Sequence, residues 1–291
     1  MKPPFQPSLQ KDWRVANLLI NPLTKRRLDA FISQGSQALL LTGALGTGLQ
    51  FIAQYLTAQL IVDKTAAESL LNIVPNEKNT ISIDEVRALQ KRLKLHNRSN
   101  GEVSIAIIIE SIEAMQTEAQ NALLKLLEEP PSGVLFLLLC HDTSGLLKTI
   151  SSRCVCVDVL PVSLDSAQEF FHDTSAELRK QYVISGGLPG LFVSMVSNQN
   201  HPVMDTINTA KKILTATTYE RMKQIDSQFK PKETVPPLLD ALLRVCSAGL
   251  HSTRAPERWT HDIQLLLTAK KQLAANVQSK LVLANLFLNL R

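Results

Sequence analysis

The 291-residue sequence is poor in aromatic residues and in cysteine, and each shortage excludes a class of protein. Aromatic residues make up 5% of the chain, so aliphatic side chains must form the core, which fits long helices better than an all-β sandwich. Four cysteines are too few for a disulfide scaffold. They lie at Cys140, Cys154, Cys156 and Cys246. Because none has a C-x-x-C partner, we expect no structural zinc site and a reducing, cytoplasmic setting.

Long apolar runs and a dominant charge are also absent. The longest apolar run, near Val134–Cys140, is far shorter than the roughly 20 residues that span a bilayer, so no membrane segment is expected. Met1–Gln10 has one lysine, three prolines and no apolar stretch, so we expect no secretory signal. The net charge of +5 permits contact with nucleic acid without predicting it. With 45% hydrophobic and 20% charged residues, a largely disordered chain is excluded.

The first half of the chain alternates between strand and helix patterns. The predicted strands are Ala38–Thr42, Val103–Ile109, Val134–Cys140 and Cys154–Val159, and the predicted helices are Leu49–Ile61, Ile83–Leu93 and Glu118–Glu128. Ser82 and Glu85 form a capping-box pattern, and Thr117 is the expected cap of the third helix. Apolar strands alternating with helices indicate an α/β fold, with a parallel sheet covered by helices.

After Pro161 the pattern is helical to the end of the sequence. The predicted helices are Ser163–His172, Ala176–Ile184, Leu191–Val196, Val203–Ala216, Tyr219–Phe229, Val235–Ala248, Ala255–Ala274 and Lys280–Leu290, with a polar linker at Ser197–Pro202. We therefore expect an α/β core over residues 1–160, a small helical domain over 161–198 and an all-helical domain over 199–291.

A glycine-containing segment, GALGTGLQ, joins the first strand to the first predicted helix. Gly43 and Gly48 have the spacing of the phosphate-binding loop G-x-x-x-x-G-K-[ST], and Gly46 adds flexibility. However, Leu49 stands where a lysine would reach the β- and γ-phosphates, and Gln50 stands where a hydroxyl would ligate Mg²⁺. Tight binding and hydrolysis of Mg-ATP are therefore not expected. Taken alone, the segment is also consistent with a simple glycine-rich turn.

The Walker B position, at the end of the second predicted strand, also departs from the residues that ATP hydrolysis needs. A hydrolytic Walker B strand ends in Asp-Glu, in which the aspartate holds Mg²⁺ and the glutamate orients water. Here the strand ends in Glu110 and Ser111. The extra methylene of Glu110 displaces the carboxylate, and Ser111 cannot act as the base. Because the phosphate loop and the Walker B position both lack catalytic groups, a lost ATPase activity explains the sequence better than a chance variation.

The segment Thr117–Pro131, TEAQNALLKLLEEPP, resembles a motif of the AAA+ subunits of DNA-polymerase clamp loaders, A-Q-N-A-L-L-K-x-L-E-E-P-P. The matching residues are Ala119, Gln120, Asn121, Ala122, Leu123, Leu124, Lys125, Leu127, Glu128, Glu129, Pro130 and Pro131. Packing of an amphipathic helix explains the leucines but not the polar matches. Downstream, Leu146–Cys154 reads LLKTISSRC and is similar to the family pattern L-L-P-T-I-x-S-R-C.

The resemblance covers nearly the whole chain and implies an AAA+ core, a helical lid and a C-terminal helical collar that joins subunits. It also implies a role for Ser152, Arg153 and Cys154, the SRC motif. In clamp loaders its arginine reaches the γ-phosphate of ATP bound by the neighbouring subunit. A guanidinium suits this role because it is permanently charged and forks onto phosphate oxygens. A local ion pair is the alternative role for Arg153.

Two other contacts that the family makes with nucleotide are altered or ambiguous. Sensor 1, a polar residue after the strand Val134–Cys140, falls within His141–Thr143, and the sequence leaves its identity open. Sensor 2 is an arginine in a G-R-P-G-like segment of the lid. In this chain Leu188 occupies that position, so a third nucleotide contact is lost.

Clamp-loader subunits differ in how much ATPase chemistry they keep. The γ/τ motor keeps both Walker motifs and SRC, the δ subunit lacks both, and a stator type combines degenerate Walker motifs with SRC. The sequence is similar to the stator type. This implies γ/τ and δ subunits as partners, ATP and Mg²⁺ held by the neighbour, no cofactor on this chain, and sliding-clamp loading on primed DNA. The zinc module usual in the family is absent, since no cysteine lies between Ile61 and Ile81.

Contact with DNA and the alternatives to a stator stay open at this point. The basic residues Lys91, Arg92, Lys94 and Arg98 face either primer–template DNA or solvent, as charged helix surfaces usually do. The alternative functions are a γ/τ-like active ATPase with an unusual phosphate loop, and a diverged AAA+ scaffold outside replication.

Overall fold

The chain divides into two compact units, Met1–Leu160 and Pro161–Arg291. The structure, a computed structural model, describes residues 18–61, 69–77, 79–94, 103–197, 199, 201–228, 234–252 and 256–291. The segment Met1–Gln10 and the basic residue Arg98 lie outside the described residues. Within the described ranges, no helix is both long and apolar enough to cross a membrane.

The first unit is built on a five-stranded parallel sheet. Its strands are β1 (Ala38–Thr42), β2 (Leu70–Ile73), β3 (Ile105–Ile109), β4 (Val134–Cys140) and β5 (Val155–Asp158), in the order β2-β3-β4-β1-β5. The three central strands are buried along almost their whole length, as their continuous aliphatic runs predict. The predicted α/β fold with a parallel sheet is confirmed.

Helices cover both faces of this sheet. They are α1 (Pro22–Gln34), α2 (Leu49–Leu60), α3 (Ile83–Lys94), α4 (Thr117–Glu128) and α5 (Lys148–Ser151). Alternate residues of β3 point to opposite faces: Ile107 packs in the cluster that contains α3 and α4, and Ile108 packs in the cluster that contains α1 and α2. The result is a helix–sheet–helix sandwich with an aliphatic core.

The helix starts differ in part from the prediction. Glu85 accepts hydrogen bonds from the backbone N–H (2.6 Å) and the hydroxyl (2.9 Å) of Ser82, so one half of the capping box is formed. The predicted cap at Thr117 is wrong, because α4 already begins at Thr117 and Gln116 is the capping residue, without a side-chain bond. At α1, which the sequence analysis did not predict, Asn21 accepts from Leu23 N at 2.9 Å.

The second unit is entirely helical in its described residues. Its helices are α6 (Leu164–Phe171), α7 (Ala176–Ser185), α8 (Pro189–Val196), α9 (Pro202–Thr215), α10 (Thr218–Gln228), α11 (Val235–Ser252), α12 (Pro256–Ala274) and α13 (Ser279–Asn289). One hydrophobic cluster runs from α7 and α8 into α9–α13, and the Arg244 guanidinium of α11 donates to Ser185 O of α7 at 2.9 Å. The expected lid and collar therefore share a core, and their division at residue 198 stays a prediction.

Candidate functional site

The glycine-containing loop lies between β1 and α2 and has a backbone that requires glycine. Gly46 and Gly48 have φ of 102° and 81°, a region that residues with a Cβ rarely adopt, and Gly48 is the N-cap of α2. Thr47 is buried, and its hydroxyl donates to Ala44 O at 2.8 Å. A Cβ on Gly43 would lie 2.8 Å from that hydroxyl. Contacts within the loop therefore hold it in a tight fold.

Leu49, at the position of the phosphate-binding lysine, is a buried residue beside Gly43 of the loop. Its side chain is 2% exposed and packs in the core beneath α1 and α2. An aliphatic side chain in the core offers neither charge nor a donor to a phosphate. Leu49, which stands in place of the lysine, thus anchors the first turn of α2 to the sheet.

Gln50 and Glu110, the two residues at the expected metal-binding positions, contact each other. The Gln50 amide Nε2 donates to Glu110 Oε1 at 2.7 Å and joins the start of α2 to the end of β3. Burial raises the pKa of Glu110, while the Gln50 hydrogen bond and the nearby His141 lower it. Ser111 follows in the left-handed region, with φ of 50°, and caps a short 3-10 turn. The two positions thus hold each other through an amide–carboxylate hydrogen bond, and the loss of Mg-nucleotide binding stays a prediction.

The sensor 1 region lies beside the same loop. His141 follows β4, its Nδ1 is 2.9 Å from Gly43 O, and its backbone N–H donates to Glu113 at 3.0 Å. Asp142 instead accepts from Ser144 N at 2.9 Å, which lowers the pKa of this exposed carboxyl. Of the residues that the sequence left open, His141 is therefore the one in contact with the loop. The sensor 2 position, Leu188, is buried in the core of the second unit.

A buried glutamine on α4 connects three backbone segments, and the sequence analysis assigned it no role. Gln120 is 2% exposed. Its Nε2 donates to Met115 O at 3.1 Å and to Gly145 O at 3.0 Å, and its Oε1 accepts from Leu147 N at 2.9 Å. Leu147 is the N-cap of α5, the helix that leads into the SRC motif. Gln120 thus fixes the start of that helix to α4.

Arg153 lies just after α5 and makes a local ion pair. Its Nη2 is 2.6 Å from Glu128 Oε1 at the end of α4, and its Nη1 donates to Thr149 O at 3.0 Å. A longer contact, 3.5 Å, joins Nη1 to the hydroxyl of Ser152. The arginine side chain remains 34% exposed. The guanidinium is therefore held on one side by α5 and on the other by α4, and it remains accessible.

Cys154, the third residue of the SRC motif, packs as a neutral group. Burial, with a smaller contribution from nearby Cys156, raises the pKa of its thiol to about 12. The side chain contacts the core cluster of α3 and α4. Within the described residues, no group of histidine, cysteine, aspartate and glutamate side chains is arranged to hold a metal ion.

The basic residues near the end of α3 lie where positive charge stabilises a helix. Lys91, Arg92 and Lys94 are exposed and lie in the last turn of that helix, where positive charge is favourable to the helix dipole. Nothing in their local contacts requires a nucleic acid. Contact between these residues and DNA stays a prediction.

The loop and Arg153 lie at opposite edges of the sheet. The loop follows β1, at the carboxyl ends of the parallel strands, whereas Arg153 precedes β5, whose Val155 pairs with Leu39 near the start of β1. An open depression around Arg153 is lined by residues that precede β1 and β4, including Gln37 and Pro130. The five residues of β1 separate the two sites by about 16 Å at 3.3 Å per residue. Arg153 therefore cannot act on a ligand in the loop of its own chain.

Comparison with known proteins gives matches to DNA polymerase III subunits. The family model described as DNA polymerase III, delta subunit, matches residues 20–163. DNA polymerase III subunit delta′ of Pseudomonas aeruginosa is 32% identical over 182 residues, 54% of this chain and 55% of that protein. The subunit of the same name from Escherichia coli is 38% identical over 77 residues, 26% of this chain and 22% of that protein. The chain thus spans about half the length of the first of these relatives, and less of the second.

A solved structure has the same fold. The DNA polymerase III gamma subunit-related protein of Thermotoga maritima aligns over 90% of this chain and 97% of its own, with a TM-score of 0.54 and 18% identity. The family match contains both the loop and the SRC motif, and together with the fold it supports assignment to the AAA+ clamp-loader subunits. The curated relatives support its assignment to the δ′ subunits of DNA polymerase III.

Proposed function

We propose that the chain is a non-hydrolysing stator of a clamp loader, which supplies Arg153 to a nucleotide site on a neighbouring subunit. The observation that carries the proposal is the separation of the two sites. Arg153 is exposed at the edge of the sheet opposite to the loop, so its partner phosphate must belong to another chain. A guanidinium there is permanently charged and matches phosphate oxygens with two parallel donors.

The loop of this chain supports the non-hydrolysing part of the proposal. Leu49 is in the core, and the Gln50 amide is bonded to Glu110, so the positions that would hold phosphate and Mg²⁺ are engaged within the protein. ATP and Mg²⁺ would be bound by the neighbouring subunit. We further propose that the neighbour is a γ/τ-type motor, that a δ-type subunit completes the assembly, and that the complex loads the sliding clamp onto primed DNA.

The arginine is tested in the reconstituted complex. Arg153→Ala is expected to lower ATP turnover at the neighbouring site by about 10³-fold, the usual range for loss of such an arginine, while other sites of the complex set the residual rate. Arg153→Lys should recover little, because an ammonium cannot fork onto the phosphate. The matched control is Arg27→Ala, which removes another exposed arginine with a longer ion pair to Asp158, 3.7 Å. Wild-type turnover in a fully assembled Arg153→Ala complex would refute the proposal.

The loop is tested on the isolated chain. Calorimetric titration with Mg-ATP is expected to show no binding at micromolar concentrations, and Arg153→Ala should leave this result unchanged. Micromolar binding would instead favour the active ATPase. Affinity capture from native lysate tests the alternative of an AAA+ scaffold outside replication. A stator must co-purify with the motor subunits, whereas such a scaffold would not.

A further inference from the structure

The ion pair between Glu128 and Arg153 joins the two motifs that point to the clamp loader. Glu128 is the last residue of α4 and belongs to the LEEPP segment, and Arg153 belongs to SRC. The pair is short, 2.6 Å, and both side chains are partly exposed, 47% for Glu128 and 34% for Arg153. Its strength is therefore that of a surface pair, which another anion can replace.

The position of Glu128 shows why the pair forms in the separate chain. A carboxylate in the last turn of a helix faces the negative end of the helix dipole, which disfavours it. The guanidinium of Arg153 neutralises this charge. Glu129, the next residue, is the C-cap of the helix and has the same charge, but among the described residues it forms no ion pair with Arg153. The two neighbouring carboxylates are both exposed, and one of them contacts the arginine.

The two halves of the guanidinium have different partners. Nη1 is bonded to Thr149 O of α5, in the segment that carries the arginine itself, and Nη2 is bonded to Glu128 of α4. Release of Glu128 would leave the α5 contact in place and make Nη2 available to another oxygen. A carboxylate and a phosphate compete for the same donor, and both on one guanidinium would repel each other.

We propose that Glu128 is a positioning residue that occupies Arg153 in the separate chain and is exchanged for the phosphate of the neighbouring subunit on assembly. This proposal rests on the proposed function, since it needs a phosphate within reach of Arg153. Because the Glu128–Arg153 pair must break first, the net free energy of binding to the ATP-loaded neighbour is reduced by the free energy of that pair. Glu128 therefore weakens association with the ATP-loaded neighbour without contributing to turnover once the site is formed.

The test compares Glu128→Gln with Glu129→Gln in binding to the motor subunit. With a non-hydrolysable ATP analogue on the motor, Glu128→Gln is expected to lower the dissociation constant by about two- to five-fold, the range of an exposed ion pair. Binding to the nucleotide-free motor should not change. In the ATPase assay of the complex, KM for ATP should fall by a similar factor at constant kcat. Glu129→Gln should match the wild type in all three measurements.

The double variant with Arg153→Ala separates a specific exchange from a general effect of charge. In that background Glu128→Gln should bring no gain, because its effect acts through the arginine. A gain that persists there, or equal or weaker binding of Glu128→Gln alone, would overturn the exchange while Arg153→Ala still impairs turnover. If Arg153→Ala has no effect on turnover or binding, the proposed function itself fails, so the two failures are distinguishable.

Discussion

Replacement of Gln120 by leucine tests whether α4 fixes the start of the SRC segment. Leucine keeps the volume and apolar packing of this 2% exposed side chain and removes its hydrogen bonds to Met115 O, Gly145 O and Leu147 N. A buried backbone group without its partner costs about 1–3 kcal/mol. Met115 is buried, but Gly145 is exposed and Leu147 is half-buried, so water replaces part of the lost bonds and we expect a net loss of about 2 kcal/mol.

Amide hydrogen exchange locates this loss. The Leu147 amide should exchange at least about 30-fold faster in Gln120→Leu, the factor that corresponds to 2 kcal/mol of opening free energy. Amides in the middle of β4 should keep their protection. The control is Asn121→Ala on the exposed side of the same helix, expected within about 0.5 kcal/mol of the wild type. Unchanged exchange at Leu147 in Gln120→Leu would refute the idea that this side chain anchors α5.

Two further predictions concern packing and thiol chemistry. Gly249→Ala should destabilise the second unit by about 1–3 kcal/mol in thermal denaturation, because its Cβ would lie 2.5 Å from the Trp259 ring; an unchanged melting temperature would show that α11 and α12 separate easily. At pH 8, iodoacetamide should modify Cys156 first, because it is the exposed thiol, although burial raises its pKa too. Burial raises the pKa of Cys140, Cys154 and Cys246 to about 12 and leaves roughly one thiolate in 10⁴, so rapid labelling of Cys154 by mass spectrometry would contradict this.

The sheet was predictable where a strand is continuously apolar. β1 and β4 begin and end at the predicted residues. A parallel strand that is buried on both faces is a continuous apolar run, so the ends of the run mark the ends of the strand. β2 was missed because it is four residues long and includes the exposed Asn72. α1 was missed although its signals are present: Asn21 as cap, Pro22 in the first turn, and the buried Leu28 and Phe31 three residues apart.

The candidate site residues follow from the sequence motifs and stay predictions as functional residues, whereas the contacts between them could not be predicted. Gln50 and Glu110 are 60 residues apart in sequence, and they meet because β1 and β3 flank β4 in the sheet. Strand order of this kind is a property of the assembled fold. One signal was available: a glutamine stands at one metal-ligand position and a glutamate at the other, and an amide and a carboxylate form a hydrogen bond without a metal.

The opposite placement of the loop and Arg153, by contrast, follows from sequence once a parallel sheet is accepted. In such a sheet every segment after a strand lies at the carboxyl edge, and every segment before a strand lies at the amino edge. The loop follows β1 and Arg153 precedes β5, so a sheet of any strand order separates them by a strand length. An arginine at that position meets a phosphate only if a second chain brings it there. The proposed dependence of Arg153 on a neighbouring subunit is therefore consistent with the order of motifs along the chain.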